Sequence, residues 1–220
     1  MTLLYMLNIL LAALFGYLVG SIPTAYLVTR LMKGIDIRSV GSGNVGGSNV
    51  WLHGGKLPSV ATLLFDLVKG ALAVSALINL GQPVSAQLAA GVAAIAGHNW
   101  PLWLRFAGGR GIATSGGVLF MFGPLETIVT GILLGMGALG FKQGAVATLL
   151  AFACWPFMAA FFGRSPEVIG AGALVWLLIV ARRLQGSPGL KRAALGENIY
   201  WNRFWFDRDI RDEKLWVTQK

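Results

Sequence analysis

The chain has 220 residues, of which 55% are hydrophobic and 12% charged, with a mean hydropathy of +0.67; soluble domains carry roughly 25% charged residues, so a soluble globular protein is excluded. The net charge of +9 would suit nucleic acid in a soluble chain, but here the basic residues stand beside apolar runs, where cytoplasmic loops and anionic headgroups account for them, and nucleic acid is set aside. The single cysteine, Cys154, sits inside an apolar run and can close no internal disulfide, which leaves redox chemistry without support.

The apolar runs predict an all-α fold, a polytopic membrane helical bundle of about seven spans, in one domain over residues 1–184 with a basic and aromatic tail over 185–220. The first span covers residues 3–31 and is kinked at Gly20-Ser21-Ile22-Pro23, where neighbouring helices or Ser21 must compensate the hydrogen bond lost to proline. No basic region and no small-x-small cleavage site mark it as a removed signal peptide. Arg30, Lys33 and Arg38 follow it and no positive charge precedes it, which places the N-terminus outside and the next loop in the cytoplasm.

That loop, residues 33–56, is rich in Gly, Ser and Asn, and two readings compete for it. It is a solvated linker, or its glycines fold the backbone into a polar nest in which Asn44, Ser48 and Asn49 supply donors and acceptors. The second span, 58–80, carries Asp66 and Lys69 one helical turn apart, read as a structural pair in an apolar setting. Residues 84–97, rich in Ala and Gly, return to the cytoplasmic side.

The stretch Gly97 to Thr114 places glycine-rich polar chemistry between two apolar segments. Gly108, Gly109 and Gly111 let the backbone bend around a ligand, Arg110 adds a fixed positive charge, and a helix starting just after them aims its N-terminus at the same point. This is an anion site in outline. Taken alone, Arg110 reads first as a positive-inside charge on a tight loop, and His98 as a hydrogen-bonded anchor at a helix end rather than an acid or base.

Spans follow at 112–122, 125–140 (Gly131 and Gly135 at the small-xxx-small spacing of close helix contact), 144–162 and 167–181, the last ending on Arg182-Arg183. An odd number of spans puts both glycine loops and the C-terminus in the cytoplasm. In the tail, Trp201, Phe204, Trp205 and Phe206 among Arg203, Arg208 and Arg211 predict an interfacial segment, with docking to a partner as the competing reading.

Gly20-Ser21-Ile22-Pro23 through Arg30, Asp36-Ile37-Arg38, and Gly41-Ser42-Gly43-Asn44-Val45-Gly46-Gly47-Ser48-Asn49 resemble the first characteristic region of the bacterial acyl-phosphate:glycerol-3-phosphate acyltransferase (PlsY) family. Gly97 to Thr114 resembles its second, with Arg110 where lysine is usual, and Phe65-Asp66-Leu67-Val68-Lys69-Gly70 is similar to a further family feature. The resemblance implies transfer of a fatty acyl group from acyl phosphate to the 1-hydroxyl of glycerol 3-phosphate in phospholipid synthesis, by a multi-pass protein of the bacterial plasma membrane. It assigns Ser42 and Arg110 to catalysis and Asn44, Ser48, Asn49, His98, Gly108, Gly109 and Gly111 to substrate binding. No cofactor is implied, no ligand cluster asks for a metal, and the expected partners are acyl phosphate, glycerol 3-phosphate and membrane lipids.

Three features depart from the family pattern. Gly47-Ser48 stands where Ala-Thr is usual, Leu52 where arginine is usual, and the family's third region, with a histidine and an asparagine three residues later, has no counterpart after Arg183. Lys191 and Arg192 can restore charge there but not the lost hydrogen-bonding geometry. These departures keep a second class open, a non-catalytic descendant serving as membrane scaffold or as a subunit of a membrane complex. A transporter is disfavoured, because no half of the chain duplicates the other.

Overall fold

The computed structural model describes residues 3–186 and 198–209, and all regular structure among them is helical. Lys191, Arg192 and Arg211 lie outside the described residues. The first apolar run gives α1 (Leu3–Gly20), then the chain breaks and resumes as α2 (Thr24–Lys33). The predicted kink is therefore a full interruption. At the break the carbonyl of Ile22 accepts from Thr24 N at 3.0 Å and from Lys69 Nζ at 2.9 Å, so a neighbouring helix contributes a bond there while the Ser21 hydroxyl finds no partner. Gly34, at φ 69°, closes α2 by donating its N–H to Arg30 O, and Arg30 and Lys33 in the last turn complement the helix dipole.

The first glycine loop contains an unpredicted short helix, α3 (Gly47–His53); α4 (Lys56–Asn79) and α5 (Val84–Asn99) follow as expected. Beyond the second glycine loop come α6 (Ile112–Phe122) and α7 (Pro124–Gly135), which continues into a π-helical turn at Met136–Gly140. The bundle is completed by α8 (Gly144–Phe161) and α9 (Pro166–Gln185), and α10 (Ile199–Phe206) closes the described chain. Pro124 and Pro166 stand in the first turns of their helices, where a missing N–H costs nothing, each with an acidic residue, Glu126 or Glu167, in the same turn. Leu3–Lys33, Lys56–Asn79 and Gly144–Phe161 are long and apolar enough to cross a membrane, and Ile112–Phe122 and Pro124–Gly140 are shorter apolar helices. Leu10, Leu64, Val68, Ile132 and Phe157 stand exposed around the bundle, a surface matched to hydrocarbon rather than water.

Two seams of backbone contact organise the packing. Side chains at Gly16 and Gly20 would collide with the carbonyls of Ala90 and Ala94, which lets α1 lie directly on α5. Side chains at Gly70 and Gly117 would collide with the carbonyls of Thr114 and Leu67, which does the same for α4 and α6. In hydrocarbon, where apolar burial gives helices no preference for one another, such close approach supplies the dispersion contact that holds them. Gly131 and Gly135, whose spacing suggested the same role, face open space and make no such contact. The side-chain core gathers Val74, Ile95, Leu119, Trp155, Val175 and Ile179, with the Trp155 indole donating to Thr127 Oγ1 at 3.0 Å.

The bundle's two ends differ. At one, turns are tied by Tyr5 with Ser85 at 2.7 Å, by Asn8 donating to Gln82 at 2.5 Å, and by fully buried Glu126 accepting from Arg164 at 2.7 Å. At the other, both glycine loops, the α7–α8 connection and the end of α9 come together.

Candidate active site

The first glycine loop is laced by one side chain. Asn49, on the first turn of α3, donates from Nδ2 to the carbonyls of Ile37 at 3.0 Å and of Val40 and Asn44 at 3.1 Å, and its Oδ1 accepts from Ser42 N at 3.2 Å. Its amide is thus committed to the loop itself. Ser42 Oγ accepts from Asn44 N at 3.3 Å and keeps its own proton to donate, while Asn44 Oδ1 is buried without a partner. Ser48 stands exposed at the rim. Asp36 caps the turn by accepting from Arg38 N at 3.0 Å and pairs with the Arg38 guanidinium at 2.7 Å; that bond holds its carboxyl below the usual carboxylate range.

The second loop is held from behind by Arg182, near the end of α9. Its guanidinium donates to the carbonyls of Gly108 at 2.9 Å, Gly109 at 3.0 Å and Asn99 at 3.2 Å. With those carbonyls drawn to Arg182, the loop runs through Gly111, at φ 74°, straight into the start of α6. A residue other than glycine is strained there, and the N–H groups of the first helical turn have no intrahelical acceptor. Around that turn lie orphaned polar atoms: both amide atoms of Asn99, Thr114 Oγ1 and Ser115 Oγ have no partner, and all three residues are inaccessible to solvent. Buried polar atoms without partners cost about 1–3 kcal/mol each, so this concentration calls for an explanation and makes the α6 start the candidate place for a polar ligand.

Arg110 is engaged by protein. Its Nη1 donates to Arg182 O at 2.8 Å and its Nε lies 2.7 Å from the carboxylate of Asp207, just past α10. The guanidinium expected to face a phosphate faces the tail instead, and only 8% of the residue is exposed.

The two loops meet over a polar junction. Asp66 Oδ1 lies 2.7 Å from Lys69 Nζ and 3.3 Å from His98 Nδ1, and also accepts from Thr24 Oγ1. One carboxylate thereby joins α2, α4 and α5. His98 Nε2 lies against Gly109, where a Cβ would strike both it and the carbonyl of Val45 in the first loop. A small cavity between the loops is lined by Ile22, Thr24, Val45, Lys69, His98 and Gly108, and Leu104 packs on Ile37, Val45 and Val50 beside it. Among the residues expected from sequence, His98, Gly108 and Gly109 meet the first loop at Val45, Gly111 lies against Asn99 at the start of α6, and Ser42 and Asn44 stand in the first loop, whereas Asn49 is buried as a scaffold and Ser48 stays outside. Sequence reading missed Asn99, Thr114, Ser115, Arg182 and Asp207. Asn99 and Thr114-Ser115 flank the glycine run directly, which is the available signal; Arg182 shows in sequence only as a basic residue at the end of the last span.

The profile of the glycerol-3-phosphate acyltransferase family matches residues 10–188. Glycerol-3-phosphate acyltransferase 5 of Dehalococcoides mccartyi is 40% identical, covering 96% of this chain and 93% of its own. Glycerol-3-phosphate acyltransferase 2 of Moorella thermoacetica is also 40% identical, over 85% of this chain and 94% of its own. Among solved structures, the glycerol 3-phosphate form of PlsY (YgiH), an integral membrane glycerol 3-phosphate acyltransferase, superposes with a TM-score of 0.74 at 29% identity, covering 80% of this chain and 88% of that one. Its lysophosphatidic acid form gives a TM-score of 0.72. By sequence over nearly its whole length and by the shared fold, the chain belongs to the glycerol-3-phosphate acyltransferase family.

Proposed function

We propose that the protein transfers a fatty acyl group from acyl phosphate to the 1-hydroxyl of glycerol 3-phosphate at the cytoplasmic face of the bacterial plasma membrane. In the reaction the hydroxyl oxygen forms a bond to the acyl carbon, the bond from that carbon to the phosphate oxygen breaks, and the hydroxyl proton balances the phosphate released. The acyl group is already activated, so positioning and charge stabilisation are what the protein must add.

The observation that carries this reading is the set of orphaned polar atoms of Asn99, Thr114 and Ser115 at the α6 N-terminus, beside Gly111. Partial positive charge from the helix start, hydroxyl donors and an amide suit a phosphoryl group. Gly108 and Gly109 admit its close approach, and His98 and Lys69 form the floor. Ser42 and Asn44 orient substrate oxygens from the first loop, Asn49 shapes that loop, and Ser48 works only at its rim. Arg110 supplies positive charge once its tail contact is released. Seven spans with the N-terminus outside put both loops in the cytoplasm, and exposed Tyr200 and Trp201 on α10 rest at the headgroup level.

The test is to supply purified protein with acyl phosphate and glycerol 3-phosphate and follow inorganic phosphate. The wild type releases it, while Asn99→Ala, Ser115→Ala and Arg110→Ala lose most of the rate. Folded wild-type protein that releases none overturns the reading.

A further inference from the structure

The family match ends at residue 188, so α10 lies beyond it, yet α10 is docked on the site end of the bundle. Arg183, on α9, donates to Phe204 O at 3.1 Å, and Arg203, on α10, returns a bond to Leu184 O at 2.9 Å. Arg203 also pairs with Asp209 at 2.5 Å. This docking brings Asp207 to Arg110, in the middle of the second glycine loop.

Three buried arginines gather at this end: Arg110 within the loop, Arg182 on the loop's carbonyls, and Arg183 next to it in α9, donating to α8 and α10. Arg182 and the two terminal nitrogens of Arg183 donate to carbonyl oxygens, which accept hydrogen bonds but carry no full charge, and Arg183 Nε is buried without a partner. Among the described residues, Asp207 is the one carboxylate that pairs with any of the three. The cluster therefore keeps a surplus of positive charge next to the orphaned polar atoms, and a doubly charged phosphate neutralises it better than one carboxylate does. Asp207 remains about a quarter exposed and follows a single helical segment of eight residues, so its release requires no rearrangement of helices α1 to α9.

We propose that Asp207 competes with the phosphate of an incoming substrate for Arg110, so that the C-terminal helix sets how strongly the second loop takes an anion. The proposal rests on the phosphate-binding reading of that loop. Removing the competitor raises anion affinity, opposite in sign to losing a positioning residue.

The experiment compares wild type, Asp207→Asn and Asp207→Glu. In Asp207→Asn, the apparent KM for one of the two phosphate-bearing substrates falls by roughly two- to fivefold, the scale of a partly exposed ion pair. Inhibition by inorganic phosphate tightens by a similar factor, and Asp207→Glu stays near wild type. A KM that is unchanged or raised overturns the proposal, as does failure of Asp207→Asn to fold, since a group displaced during turnover is not one the fold depends on. Thermal unfolding with added inorganic phosphate separates the two readings. A wild type without turnover overturns the transferase assignment alone, whereas a phosphate-induced stabilisation that Asp207→Asn does not shift to lower concentration overturns the competition.

Discussion

Asn49 links the first loop to α3 through hydrogen bonds to four different backbone groups, and no other residue type presents a matching set of donors and acceptor at that length. Asn49→Asp turns the donor end into an acceptor facing three carbonyls. It is expected to lower stability by about 1–3 kcal/mol and to raise the KM for glycerol 3-phosphate, read by unfolding in detergent and by steady-state kinetics. Asp66→Ala strands the Lys69 ammonium in a buried setting, and a loss of about 3–5 kcal/mol is expected, since one partner of a buried pair is removed; Asp66→Ala with Lys69→Met recovers much of it. For Asp36 the depressed carboxyl sets the sign. Its contribution to loop stability is complete above its ordinary value of 3.8 and is lost as pH falls through its lowered folded value. The difference between wild type and Asp36→Asn in unfolding midpoint is expected to vanish toward strongly acidic pH. At this scale the sequence told where the polar groups are but not whom they meet. Arg110 was legible as a cation among glycines, while its partner Asp207 comes from a distant segment that no local pattern connects to it.

Individual helices were far more readable than their contacts. Every predicted apolar segment is helical, the first as two helices, because length, hydropathy and flanking Gly or Pro punctuation are local properties. Helix α3 escaped because Gly46-Gly47-Ser48-Asn49 has turn composition, and its formation is secured by burial of Asn49 and Val50. Glycine spacing likewise proposed a seam at Gly131 and Gly135, although the seams form elsewhere, since spacing does not say which face a neighbour covers. Gly117→Ala pushes a methyl group into the Leu67 carbonyl, backbone that cannot yield like a side chain, and about 1–3 kcal/mol of destabilisation is expected. Gly131→Ala meets nothing and is expected to be neutral or slightly stabilising. Parallel unfolding curves of the two variants check the contrast.

Across the whole molecule, chemistry is concentrated at one end. The loop after α2, the loop after α5, the α7–α8 connection and the end of α9 gather there, the same segments that hold most of the flanking Lys and Arg. With the positive-inside rule this predicts that single cysteines at Gly34 and Lys142, in a Cys154→Ala background, react with an impermeant reagent only from the cytoplasmic side. Cysteines at Gly81 and Gly163 are expected to react only from outside.

The opposite end carries its own consequence. Glu126 is withdrawn from solvent and clasped by two nitrogens of Arg164, which fastens the α6–α7 corner to the α8–α9 corner. If this clasp is stiffer than the far-rim bonds of Arg182 and Arg183, small angular play among α6 to α9 grows toward the far rim, as in a fan hinged at its handle. Amide exchange should therefore quicken from the Glu126 corner toward Gly111 and Gly186, and cutting the clasp with Glu126→Gln should flatten that gradient before it disturbs the helices themselves.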